Sequence, residues 1–138
     1  MTMSEREFEH IAAEEWKRMP ERFSDKVANV ALLIENEVDA ETRQLEGLGE
    51  GETLLGLYRG IPLVERGSEY GVGVTLPDTI TLYRLPLLEE AHEMGGDFPE
   101  AVRRAIRETL WHEVGHYFGL SEQGVNEREA DGTNRFAH

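Results

Sequence analysis

Apolar residues near the start of the chain recur at spacings of three and four: Phe8, Ile11, Ala12, Trp16 and Met19. That period predicts an amphipathic helix. Ser4 stands where a cap would accept a backbone N–H, with Glu7 three residues on as its reciprocal partner. Pro20 stops the helix or opens a second short turn. The pattern then changes. Residues 27–34, VANVALLI, are aliphatic and rich in β-branched side chains, which predicts a buried strand. Residues 35–52 are acidic and hold Gly47, Gly49 and Gly51, so they read as a flexible loop.

Three further strands are expected, over residues 54–58, 70–76 and 79–85, the last following the turn signal Pro77-Asp78. The segment YGVGVTL, with glycines at alternate positions, suits a sheet edge better than a centre. A second helix starts at Asp97-Phe98-Pro99-Glu100, where Asp97 can cap, Pro99 fits the first turn and Glu100 completes a capping box. Its apolar face is Val102, Ile106, Leu110, Val114 and Tyr117, and Gly119 sits where a left-handed cap would end it. No repeat or linker interrupts the chain, so 1–138 reads as one domain.

Composition narrows the chemistry. There is no cysteine, which excludes disulfides, thiolate ligands and a cysteine nucleophile. The net charge of -14 disfavours nucleic acid and anionic membranes, and would draw cations or basic peptides. No basic segment precedes an apolar run at the start, and the longest apolar run is too short to span a bilayer, so a soluble, cytoplasmic protein is expected.

Against that background one stretch stands out, LWHEVGHYFGL at 110–120. Residues four apart share one side of a helix, so His112 and His116 can direct two imidazoles at one point, the arrangement a zinc ion needs. Both fall on the flank of the apolar stripe, as in a cleft wall. Glu113, pointing to one side of the pair, can reach a water on the metal without displacing it. The competing explanation is a core helix whose histidines are satisfied by neighbours; the capped helix and following glycine favour a metal.

From His112 the chain reads HExxHxxGxxE, with Gly119 and Glu122 in register. This resembles the zincin metallopeptidases. More closely, the chain resembles a small bacterial family of minimal zincin-like predicted metallopeptidases over roughly residues 6–123. The resemblance lies in the amphipathic helix ending at Met19-Pro20, then VANVALLIEN, LLGLYRGIPL, LPDTITLYRLPL and HEVGHYFGLSE. It implies an α+β fold: a small mixed β-sheet packed against an N-terminal helix and a long HExxH active-site helix. It implies that an edge strand binds extended substrate. Here that would be 70–76, with Gly71, Val72, Gly73 and Val74 meeting the peptide, since missing side chains let another backbone approach. A loosely packed hairpin arm explains the same glycines.

The third metal ligand implied by the extended motif is Glu122, one methylene longer than the aspartate more usual there; Glu127, Glu129 and Asp131 are rivals. Tyr117 and Tyr83 could donate to an oxyanion, although aromatics so placed more often fill a core. His10 and His92 read as surface, His92 within a flexible polar segment. The expected function is zinc-dependent peptide hydrolysis with Glu113 as general base, on a peptide or protein substrate. The alternatives are a silent zincin-fold module that binds zinc or peptide, a partner-dependent protease, and an acidic interaction protein without metal.

Overall fold

The computed structural model describes residues 2–19, 30–60 and 78–117. Helix α1 (Glu5–Lys17) starts as its sequence dictates: the Ser4 hydroxyl accepts the Glu7 N–H at 3.2 Å. The same hydroxyl donates to the Glu7 carboxylate at 3.3 Å. Phe8, Ile11 and Ala12 are buried along one face.

Strand β1 (Val30–Glu35) follows, then helix α2 (Ala40–Leu45), strands β2 (Gly56–Arg59) and β3 (Asp78–Tyr83), and helices α3 (Arg84–Met94) and α4 (Phe98–Tyr117). The strands form a three-stranded mixed sheet in the order β1-β3-β2, with β3 parallel to β1 and antiparallel to β2. Ile80 and Leu82 of β3 point into the core shared with α1, α3 and α4 and have no exposed surface. Side chains alternate across a sheet, so Thr81 and Tyr83 face the other way, where both are also buried. On that side Arg59 donates to the Thr42 hydroxyl of α2. The expected α+β architecture is therefore present.

Two expectations need correction. The acidic segment 35–52 is not wholly a loop. Asp39 accepts the Thr42 N–H at 2.7 Å and caps α2. A helix of six residues burying only Thr42 leaves too little apolar period to read. The strand expected over 79–85 ends at Tyr83, and Arg84 begins α3. The alternation of TITLYRL ran on past the true end because Leu85 belongs to a helical turn. Pro86 is tolerated there because the first turn has no N–H partner to lose. Leu87, Leu88 and Ala91 bury the helix, and Gly95 closes it. His92 is accordingly on a helix, not in a flexible stretch. Its exposure is as expected, and its ring lies 5.0 Å from that of Phe98. The expected strand 70–76 and residues 118–138 lie outside the described residues.

Helix α4 begins where Asp97 accepts the Glu100 N–H at 3.0 Å. Its stripe Val102, Ile106, Leu110 and Val114 is at most 1% exposed. Burial of such side chains is worth about 1.5–3 kcal/mol each, so this stripe fixes the rotation of α4 about its axis. An ionic clamp ties α4 to α1. The Glu15 carboxylate is fully buried and meets Arg103 at 3.1 Å, Arg18 at 3.4 Å and Arg107 at 3.7 Å. Arg103 also holds Glu14 at 2.7 Å. No described helix is long and apolar enough to cross a membrane.

Removing one member of a buried ion pair strands the others. Glu15→Ala is therefore expected to lower stability by about 3 kcal/mol in urea unfolding, with a smaller further loss when Arg103→Ala is added. The hydrogen bond from Arg103 holds the Glu14 carboxyl below its ordinary value. A lowered carboxyl favours the folded state above its unfolded value of 4.5, and that contribution fades as pH falls through the lower folded value. Arg103→Ala should remove this part of the acid sensitivity, read from unfolding midpoints on either side of that pH.

Candidate metal centre

The site is built at the junction of α4 and β2. Near its C-terminal end α4 passes so close to β2 that position 56 has no room for a side chain. A Cβ there would lie 2.7 Å from the Thr109 methyl, 3.1 Å from the Thr81 carbonyl oxygen and 3.5 Å from Glu113 Cγ. Glycine in a strand commonly marks such an approach. Here it lets the helix lie against the sheet at the turn that carries Glu113.

With the rotation of α4 set by its apolar stripe, the three polar residues of the motif separate by environment. Glu113 turns toward the sheet and is 7% exposed. Its Oε1 accepts the backbone N–H of Tyr58 at 2.9 Å. His112 and His116, one turn apart on the flank, are half-buried, with ring centroids 5.2 Å apart and planes 68° apart. One donor atom from each of His112, Glu113 and His116 falls within 4.8 Å of the others, so the trio could hold a metal ion. Two imidazoles and a carboxylate are a nitrogen and oxygen donor set suited to zinc and accepting of other divalent ions.

Of the residues expected at the site, the structure brings these three together. It keeps Tyr83 apart. Alternation along β3 sends Tyr83 to the face away from Glu113, where burial, then the charge of Glu35, raises its phenol above the ordinary value of 10.0. Tyr83 is thus not an oxyanion donor here. His10 is on the surface beside Glu14, as expected. Glu122, the rivals Glu127, Glu129 and Asp131, and the proposed peptide-binding residues Gly71, Val72, Gly73 and Val74 lie outside the described residues, as does the side chain of Tyr117.

The sequence profile of the zincin-like metallopeptidase family matches residues 27–132. The chain belongs to that family. No curated protein matches it. The match spans β1 to beyond α4, so it takes in the sheet, the close contact at Gly56 and the whole motif helix of this zincin-like chain.

Sequence reasoning did not foresee the part played by β2. Its signal was present in LLGLYRG, where Gly56 interrupts an otherwise bulky strand. Because Thr109 is β-branched and stiff, the side chain cannot simply swing aside for a larger residue. Gly56→Ala is expected to destabilise the fold by about 1–3 kcal/mol, measured by urea unfolding. Unchanged stability would show that the contact is loose.

Proposed function

We propose that this protein is a zinc metallopeptidase, hydrolysing peptide bonds with His112 and His116 as metal ligands, Glu122 as the third, and Glu113 as general base. One observation carries the reading. The two histidines sit half-exposed on one flank of α4, while the adjacent carboxylate is buried and engaged by the sheet. Ligands need an accessible flank, whereas a base benefits from a fixed carboxylate beside them. Family membership supports the same class of reaction. Among the rivals, Glu122 has the motif register in its favour, three residues after Gly119.

A bound zinc ion would make a water molecule more acidic and polarise the scissile carbonyl. The chain's own groups do the rest. A carboxylate oxygen of Glu113 takes a proton from the attacking water as its oxygen bonds to the peptide carbon. The same carboxyl then gives that proton to the amine as the C–N bond breaks. Water is consumed, an acid and an amine are released, and no covalent link to the protein forms. The net charge of -14 favours basic peptides as substrates.

The test is cleavage of a broad peptide library by zinc-loaded protein without a histidine tag. Wild type should bind one zinc and cleave, and His112→Ala should lose the metal. Glu122→Ala should weaken zinc binding. Glu113→Gln should keep zinc and lose about a hundredfold or more in kcat, the contribution of general-base catalysis. Tight zinc with no cleavage would instead support the silent binding module. Full activity in Glu113→Gln would remove Glu113 as the base.

A further inference from the structure

We propose that Tyr58 is a positioning residue for Glu113, acting on hydrolysis through its backbone N–H; the inference rests on the hydrolytic reading above. Leu55 pairs with Tyr83, whose N–H donates to the Leu55 carbonyl at 3.0 Å. In an antiparallel ladder, hydrogen-bonded and non-bonded pairs alternate. Leu57 and Arg59, opposite Thr81 and Thr79, therefore use their amides in the ladder. Gly56 and Tyr58 do not. The Tyr58 N–H turns outward from β3, and there it meets Glu113 Oε1 at 2.9 Å.

A glutamate on a helix reaches its reacting position through three rotatable bonds. The Tyr58 amide fixes one carboxylate oxygen to the sheet with a charge-assisted bond. This sets the carboxylate's distance and tilt relative to the two histidines. Proton transfer is sensitive to such placement, since an error of about 1 Å can cost about a hundredfold in rate.

Tyr58 is itself secured. Its hydroxyl donates to Asp78 Oδ2 at 2.8 Å, across the strand pair, and Asp78 is 3% exposed. Space for that contact comes from Gly60, opposite Asp78. A Cβ at position 60 would sit 2.3 Å from the Asp78 carboxyl carbon, and the φ of 153° is one that other residues rarely adopt. Gly56, Tyr58 and Gly60 thus serve one purpose: the first admits Glu113 to the strand, the second binds it, and the third frees the anchor. A consequence follows for substrate. An extended peptide cannot pair with β2 through the Tyr58 amide, because Glu113 occupies that donor.

The experiment replaces Tyr58 by its α-hydroxy acid analogue through nonsense suppression, which exchanges the N–H for an ester oxygen and keeps the phenol. Zinc content and KM should match wild type, with kcat lower by about tenfold or more. Tyr58→Phe, which keeps the N–H and loses only the Asp78 anchor, should lose less. Independently of activity, amide exchange at Tyr58 should be slow in wild type and faster in Glu113→Ala. An ester variant with wild-type kcat, or Tyr58 exchange unmoved by Glu113→Ala, would overturn the inference while leaving hydrolysis standing. A wild type that binds zinc and cleaves nothing would overturn the hydrolytic reading and this inference with it.

Discussion

The site depends on one close approach, that of α4 to β2 at Gly56. A helix normally stands off a sheet by the depth of the side chains between them. At position 56 there is no side chain, and the Thr109 methyl and the Thr81 carbonyl oxygen crowd the space a Cβ would fill, with Glu113 Cγ alongside. The carboxylate is thereby carried into hydrogen-bonding reach of the strand's outward amide. Two long-range restraints hold the approach. The apolar stripe from Val102 to Val114 sets how α4 is rotated, and the buried Glu15 clamp, with Arg103 and Arg107, sets how α1 braces it from outside the sheet.

This arrangement divides the labour of the motif. Residues His112, Glu113 and His116 are close in sequence but enter different surroundings. The histidines remain on a half-exposed flank, and the glutamate is buried against backbone. In a chain with no cysteine, the two imidazoles are the borderline donors that the motif offers.

Much of this was legible in the sequence, for identifiable reasons. α1 and α4 announce themselves through caps at Ser4 and Asp97 and through stripes of period near 3.6, because burial of a whole helix face leaves a regular trace. The motif at 112–116 carries its own geometry, since the spacing of four is itself the structure. α2 and α3 were not legible. One is too short to leave a period, and the other begins inside an alternation that resembles a strand and places a proline in its first turn. The Tyr58–Glu113 contact was hidden for a different reason: it joins residues 55 positions apart through a backbone amide, which no side-chain pattern reports. Only the glycine at 56 hinted at it.

The most direct measurement is a crystal structure of the zinc-soaked protein with anomalous scattering recorded at the zinc edge. The account predicts one strong peak bonded to imidazole nitrogens of both His112 and His116 at about 2.0–2.1 Å, with Glu113 outside the metal's ligand shell and still bonded to the Tyr58 amide. A zinc ion bound elsewhere, or one that takes Glu113 as a ligand in place of a histidine, would contradict it.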